Sequence, residues 1–339
     1  MRDTLQTLKE YRLAQYVMGT LVEITVCCAP HEADEDAMRH HLSSGMDEFE
    51  RLEQSFSRFD FDSELSRVNR LAARYPVKVS EEFFTVLAEG LEYMRQAAGC
   101  FSLQLAPLAN LWEDCAARNR LPTEDEIERR RRLAERSLIK LNERNQTVRF
   151  LASGVELDLG GLVKGYAADR ALERLRRAGL RRAIVNAGTS SITAFDLTAP
   201  ENGPRFAIRD PRDERRIVGL IDLAGRALAT SGTSERRFQI ADRWFSHLID
   251  PRNGWPLEGC LSATAVCDTA MRAEVVAKLL LFLDLEQALE ICDRRGWRAE
   301  ALTLRADQDG NSLQVIQTDQ LKFLPPPAIP QDRTDKRRR

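Results

Sequence analysis

Three segments of the chain place charged or nucleophilic residues where a strand gives way to a helix or a tight turn. In LDLGGLVKGYAADRA, Asp158 ends an apolar run, Gly160 and Gly161 follow, and Lys164 lies one helical turn further on. Glycines allow backbone N–H groups to approach a ligand closely, and a helix N-terminus beside a cation attracts anions. The pattern fits a phosphate-binding turn. It fits equally an ordinary strand-to-helix turn with a capping aspartate and a surface lysine.

The second segment, AMRAEVVAKLL, carries Glu274 and Lys278 four residues apart. On a helix this spacing puts both side chains on one face. Taken alone, the pair is a surface ion pair of little energetic weight. Two glycine-containing turns precede this segment, and ATSGTSERRF (229–238) fits either a hairpin or a close backbone approach to a ligand.

The third segment, SHLIDPRNGWPLEG, contains His247, the one histidine in the C-terminal two-thirds of the chain. A strand that ends there presents His247 and Ile249 on one face, and D-P-R-N-G is strong turn chemistry. A lone histidine often has a structural role. Its place beside a rigid turn also makes it a candidate for proton transfer.

The elements that must position these residues form an α+β pattern without regular β-α-β alternation. Apolar residues recur at helical spacing in five segments, and short β-branched or apolar runs predict strands between them. The predicted helices span 31–56, 81–98, 161–178, 270–283 and 285–294, and a charge block at 124–136 predicts a solvated helix face. The predicted strands span 16–28, 147–151, 155–159, 182–187, 204–209, 216–223, 226–230, 243–249, 261–267, 298–304 and 312–317.

Composition limits the functional classes. The 339 residues include 50 Lys+Arg and 52 Asp+Glu, for a net charge of −2, which argues against a nucleic-acid partner. No apolar run approaches the roughly 18 residues of a membrane helix, so no direct membrane span is expected. The polar N-terminus lacks the features of an export signal, which predicts a cytoplasmic protein. The seven cysteines are scattered and form no C-x-x-C pair, which argues against a zinc ribbon.

Seven segments in a fixed order resemble the ApbE family of flavin transferases. They are MGTLVEI (18–24), FSRFDFDSELSRVN (56–69), GCFSLQLAPLANLW (99–112), LDLGGLVKGYAADRA (157–171), LATSGTSERRF (228–238), SHLIDPRNG (246–254) and AMRAEVVAKLL (270–280). The resemblance implies a two-lobed, T-fold-like α+β architecture with FAD in a cleft between the lobes. It predicts an N-terminal extension at 1–15, an ApbE-like domain at 16–324 and a disordered proline-rich and basic tail at 325–339.

The resemblance also implies the reaction. Members transfer FMN from FAD to a Ser or Thr hydroxyl of a target protein and release AMP, with Mg²⁺ as the usual assisting metal. This is phosphoryl transfer, which requires positioning and neutralisation of the pyrophosphate charge.

Family roles transfer onto matching positions of this chain. His247 corresponds to the family histidine, the expected base near the acceptor hydroxyl, and Gly161 to a metal ligand that acts through its carbonyl. Phe59 takes the place of an aromatic residue that packs on FAD. The other expected FAD-site residues are Met18, Cys100, Phe101, Ser102, Asp158, Lys164 and Ile249.

The metal-binding helix departs from the family pattern. The family has A-D-x-x-x-T, in which Asp and Thr bind Mg²⁺, whereas this chain has Glu274 and Lys278 at those positions. A protonated lysine cannot ligate a hard cation. A second departure is NAGTSSI (186–192), where the family usually has Gly-Gly followed by Asp or Asn.

Three interpretations of the Glu274/Lys278 pair remain open at the sequence level. Lys278 neutralises the pyrophosphate in place of the metal, which makes it a catalytic residue. Alternatively, the chain binds FAD and has lost transfer activity, or Mg²⁺ still binds weakly through Glu274 and backbone carbonyls. An FAD pyrophosphate hydrolase and a structural α+β protein with accidental motifs are the rival functions.

Overall fold

The computed structural model describes residues 8–32, 34–188, 190–197, 203–223, 225–234, 236–259, 261–307 and 312–326, and within them the chain has the predicted α+β fold. The helices are α1 (Glu35–Phe56), α2 (Glu64–Leu71), α3 (Glu81–Gln96), α4 (Ala106–Ala117), α5 (Glu124–Arg131), α6 (Val163–Arg177), α7 (Ala270–Phe282) and α8 (Leu285–Arg294). The strands are β1 (Lys9–Val17), β2 (Thr20–Cys28), β3 (Val77–Lys78), β4 (Ile139–Asn142), β5 (Thr147–Phe150), β6 (Arg182–Ala187), β7 (Ser191–Asp196), β8 (Arg205–Asp210), β9 (Asp213–Asp222), β10 (Ala227–Gly232), β11 (Arg237–Ile240), β12 (Arg243–Ser246), β13 (Leu261–Cys267), β14 (Ala299–Ala306), β15 (Leu313–Gln317) and β16 (Phe323–Leu324).

An eight-stranded antiparallel sheet, in the order β1-β2-β6-β7-β10-β13-β14-β15, forms the centre of the molecule. Side chains alternate between its two faces. Ala227 and Ala229 of β10 pack into the core beneath α1, α6 and α7. Leu228, between them, packs on the opposite face with residues of the small sheet β16-β9-β8, such as Ile208 and Ile221.

The start of α7 is held tightly against α6. A Cβ on Gly165 would lie 2.6 Å from the carbonyl of Ala270, so only glycine permits this approach. The Asp169 carboxylate accepts the backbone N–H groups of Ala270 at 2.8 Å and Met271 at 3.0 Å. Two of the N–H groups that a helix start leaves unpaired are thereby satisfied. This contact fixes where the later residues of α7 point.

The prediction of a single strand over 16–28 is wrong. Met18 and Gly19 have φ values of 53° and 70° and form a tight turn that joins β1 to β2, with Val17 paired to Thr20. β1 begins at Lys9, within the range that the sequence assigns to an N-terminal extension. The predicted tail from 325 lies mostly outside the described residues.

The apolar run 155–159 is not a strand either. The Asn69 side-chain amide takes the place of a neighbouring strand at Leu157, since it accepts from Leu157 N at 2.8 Å and donates to Leu157 O at 3.0 Å. The next residue, Asp158, donates its N–H to Leu103 O at 2.7 Å.

Helix α2 is not predicted from the sequence. It lies in the polar segment that follows α1, begins after the capping Ser63 and buries Leu65 and Val68. Among the described residues, no helix has the length and apolar character needed to cross a membrane.

Candidate active site

Three predicted site residues meet where the glycine turn before α6 faces the middle of α7. The Lys278 ammonium donates to Gly161 O at 2.9 Å and to the Glu274 carboxylate at 2.6 Å. A third hydrogen bond, at 3.1 Å, reaches the Glu274 backbone carbonyl. The side chain of Lys278 is 17% exposed and that of Glu274 is 4% exposed. The i,i+4 pair is therefore a buried ion pair facing the glycine turn, and the surface alternative is wrong.

Hydroxyl groups at the start of β7 complete this cluster. Ser191 Oγ donates to the second carboxylate oxygen of Glu274, and the Lys164 ammonium donates to Ser190 Oγ at 3.0 Å. The Ser190 carbonyl accepts from Thr230 N of β10 at 2.8 Å. Two lysines and one carboxylate thus meet at one end of the central sheet. We call Gly161, Lys164, Ser191, Glu274 and Lys278 the lysine cluster.

The charge balance of the lysine cluster keeps Glu274 ionised. Burial acts to raise the pKa of Glu274, but attraction to Lys278 and Lys164 and the hydrogen bonds from Lys278 and Ser191 outweigh it. The pKa therefore lies below its ordinary value. One carboxylate against two ammonium groups leaves an excess positive charge, which suits an anionic ligand.

The positive charges of the lysine cluster act on His247. His247 is an exposed residue, and its Nδ1 lies 3.1 Å from the carbonyl of Arg236. Because a carbonyl only accepts, this contact assigns the proton to Nδ1 and leaves the lone pair on Nε2 as the proton acceptor. Desolvation by the surrounding protein lowers the pKa of His247, and the positive charges of Arg236, Lys278 and Lys164 lower it further.

Asp158 is engaged with a neighbouring arginine. Its carboxylate accepts from Gly160 N at 2.8 Å and pairs with Arg58 Nε at 3.2 Å. The Arg58 guanidinium lies 4.4 Å from the ring centre of Phe59, whose side chain is 83% exposed. Asp158 therefore orients the glycine turn and anchors an arginine beneath an exposed aromatic ring.

The remaining predicted residues contribute mainly through packing. Cys100, Phe101 and Ser102 are buried, and Ser102 Oγ donates to the carbonyl of Ala134 at 3.0 Å. A Cβ on Gly161 would lie 3.7 Å from the Phe101 ring, so that ring packs beneath the glycine turn. Ile249 is also buried, in a β-bridge with Pro256.

Met18 contacts a residue outside the lysine cluster. It occupies the turn between β1 and β2, and its N–H donates to the Glu53 carboxylate at 2.9 Å. The β2 strand that follows this turn pairs with β6, and Gly188 N donates to Leu21 O at 3.0 Å. The turn thus borders the segment that leads to Ser190.

The structure also identifies residues for which no role is predicted from the sequence. Ser190 and Ser191 lie in NAGTSSI, where the sequence showed only a departure from the family pattern. Arg58 and Asp169 stand inside the matching motifs, but a lone Arg or Asp signals nothing without its partner. The partners of Asp169 lie 101 and 102 residues away, so spacing could not identify them.

The residues at the predicted metal position do not fit a divalent ion. The Gly161 carbonyl and one Glu274 oxygen accept from Lys278, and the other Glu274 oxygen accepts from Ser191. Mg²⁺ requires near-octahedral oxygen ligands at about 2.0–2.1 Å. Nowhere in the described part of the chain do three or more His, Cys, Asp or Glu residues form a group that could hold a metal.

Comparisons with known proteins identify close similarity in sequence and in fold. The model of the ApbE family matches residues 18–303. An FAD:protein FMN transferase of Klebsiella pneumoniae is 31% identical over 229 residues, covering 67% of this chain and 70% of the relative. One from Escherichia coli K12 is 26% identical over 278 residues, covering 80% and 77%.

Solved structures share the fold at lower identity. The ApbE protein of Thermotoga maritima superposes with a TM-score of 0.78 at 24% identity, over 90% of this chain and 96% of its own. The flavin transferase ApbE of Vibrio cholerae gives a TM-score of 0.76 at 23% identity, over 92% and 98%.

Proposed function

The chain belongs to the ApbE family, and from that premise we propose that it binds FAD and transfers FMN to a Ser or Thr hydroxyl of a target protein, releasing AMP. The observation that carries the proposal is the lysine cluster beside His247. It combines excess positive charge, for a pyrophosphate, with a neutral proton acceptor, for a hydroxyl. The curated relatives named above are FAD:protein FMN transferases.

The proposed reaction is an in-line displacement at the FMN phosphorus. The acceptor hydroxyl oxygen forms a bond to that phosphorus, and the bond from the phosphorus to the bridging oxygen breaks, so that AMP departs with that oxygen. The hydroxyl proton moves to Nε2 of His247. Because the pKa of His247 is lowered, the ring is neutral at neutral pH and able to accept it.

The lysine cluster serves to hold and neutralise the pyrophosphate. Lys164 and Lys278 supply the positive charge beside the glycine turn before α6. The exposed ring of Phe59, with Arg58 against it, is suited to stacking on a flat heterocycle of FAD. Mg²⁺ is the usual metal that the family resemblance implies. Because the residues here do not fit it, no step of this reaction is assigned to a metal.

Incubation with FAD and an acceptor peptide tests the proposal. Purified protein is mixed with FAD and a Ser/Thr peptide carrying the target motif of the family, and AMP and flavin-labelled peptide are measured by chromatography and mass spectrometry. We expect AMP and labelled peptide in equal amounts, and neither without the peptide.

Two results of this experiment would contradict transfer. AMP release without the peptide would identify a hydrolase, and intact bound FAD in every arm would identify a binding protein without transfer. The His247→Gln variant should lose labelling and keep FAD binding, while His40→Gln, an exposed histidine on α1, should keep both.

A further inference from the structure

The Lys278 ammonium sits among the atoms that the family resemblance assigns to the metal. It contacts the carbonyl of Gly161 and the carboxylate of Glu274, which are the two predicted metal ligands. The first of these contacts joins residues 117 positions apart, so it is a property of the tertiary structure and not of one helix. The ammonium thus occupies a position to which the fold brings several oxygen atoms.

The surroundings hold this ammonium in one place. A lysine has three N–H donors, and here they face Gly161 O, Glu274 Oε2 and Glu274 O at 2.9, 2.6 and 3.1 Å. These contacts fix the position of the charge before a ligand arrives. The longest of the three contacts joins the ammonium to the backbone carbonyl of Glu274. The N–H group in this contact is the one most readily redirected to a phosphate oxygen.

Glu274 already accepts a hydrogen bond on each of its carboxylate oxygens. Ser191 donates to one carboxylate oxygen and Lys278 to the other, and the side chain is almost fully buried. A metal would have to displace the ammonium and leave it uncompensated in a buried site, which is strongly unfavourable. Glu274 and Ser191 are therefore positioning residues for Lys278.

We propose that Lys278 is a built-in cation that replaces the divalent metal, so that this chain binds the pyrophosphate of FAD without metal. The inference rests on the proposed function for the identity of the ligand. It concerns binding, however, and its outcome is independent of whether FMN is transferred.

The first test measures FAD affinity by titration calorimetry with Mg²⁺ and with a chelator. We expect the two dissociation constants of the full chain to agree within about twofold. In the chelated sample, Lys278→Gln should weaken FAD binding by about tenfold or more, the loss of one charge-assisted hydrogen bond, and should leave riboflavin, which has no phosphate, within about twofold. Lys140→Gln, an exposed lysine on β4, is the matched control and should change neither ligand.

The second test uses Mn²⁺ as a paramagnetic probe of metal binding. The unaltered chain should bind no Mn²⁺ at this site, with or without FAD. The double variant Glu274→Asp with Lys278→Thr restores the family pair and should bind Mn²⁺ and acquire FAD affinity that the chelator abolishes. Thermal unfolding of each variant identifies those that fold.

Three results would overturn the inference without deciding whether FMN is transferred. FAD affinity that drops about tenfold on chelation, Mn²⁺ bound by the unaltered chain, or equal losses of FAD and riboflavin in Lys278→Gln would each contradict it. If transfer still occurred, only the inference would fail. Metal-free FAD binding without transfer would support the inference and contradict the transferase, and no FAD binding in any arm would contradict both.

Discussion

At the scale of single residues, two side chains with ordinary sequence signals acquire their chemistry from their neighbours. The Glu274/Lys278 pair has the spacing of a surface ion pair, but burial beside Gly161 holds the Lys278 ammonium in a fixed position. His247 is a lone histidine, and the Arg236 carbonyl assigns its tautomer. In both cases the residue type was visible in the sequence and its protein partner was not.

The lowered pKa of His247 predicts the pH dependence of the transfer. A base must be unprotonated, so kcat/KM should rise with pH through the histidine pKa and then level. Because that pKa lies below its ordinary value of 6.5, the rise should be largely complete by neutral pH. The profile is measured as labelled peptide formed from pH 5 to 8.

The position of the rise on the pH axis, and not the rate itself, tests the contribution of Lys164 to this shift, because Lys164 also belongs to the lysine cluster. Lys164→Met removes one of the positive charges that lower the pKa, so the rise should move to higher pH. A profile that rises only above pH 7 in the unaltered chain would contradict the assignment of His247 as the base.

At the scale of elements, the contact between α6 and α7 assembles the lysine cluster. Gly165 permits the close approach, and Asp169 accepts hydrogen bonds from the first residues of α7. This places Glu274 and Lys278 opposite the glycine turn that begins α6. The sequence predicted both helices to within two residues at each end, but not that they cross here.

Asp169 gives this contact a pH-dependent stability. Burial raises its pKa from 3.8 to about 6, although the hydrogen bonds from Ala270 and Met271 oppose the rise. Since the folded pKa exceeds the unfolded one, the folded state binds more protons between them. The contribution of this group to the free energy of unfolding therefore falls as pH rises from about 4 to about 6, by about 3 kcal/mol in all, and is constant above that range.

Replacing Asp169 by Asn should remove this component. The free energy of unfolding of Asp169→Asn, relative to the unaltered chain, should increase between pH 4 and pH 6 and then level. Urea unfolding at pH 4, 5, 6 and 7 measures it. Asp34→Asn removes the charge of the exposed carboxylate that caps α1 and controls for the same change at an exposed helix start. A difference for Asp169→Asn that does not vary with pH would show that the buried carboxyl does not titrate in this range.

At the scale of the whole molecule, antiparallel pairing brings the ends of distant segments to one end of the central sheet. The turn between β1 and β2, the start of β7 and the end of β10 lie at this end, and α6 and α7 cover one face of the sheet. FAD that bridges these elements should stabilise the entire fold and not a single loop.

Thermal unfolding with FAD measures this coupling. A ligand at 100 times its dissociation constant stabilises the folded state by about 2.7 kcal/mol, and we expect an upward shift of the unfolding temperature of equal size with Mg²⁺ and with a chelator. Adenosine, which lacks the pyrophosphate, is the control and should give a smaller shift at the same concentration. A shift that appears only with Mg²⁺ would contradict metal-free binding.

The sequence by itself determined the α+β class, most helices, the family and the residues of the lysine cluster other than Ser191. These follow from local periodicity, from glycine and capping signals and from the order of the motifs. It did not determine the hairpin at Met18 or the connector at Leu157, because a positive φ and a side-chain hydrogen-bond partner leave little trace in hydrophobic periodicity.

Only the tertiary structure decided what the metal-position residues do. Lys278 lies 117 positions from the Gly161 carbonyl that it contacts, and Ser191 lies 83 positions from Glu274. Local spacing carries no information about such distances, which are set by strand order and by the close packing of α6 on α7. At the sequence level Lys278 was a substitution with three open interpretations, and burial of its ammonium among oxygen acceptors favours one of them.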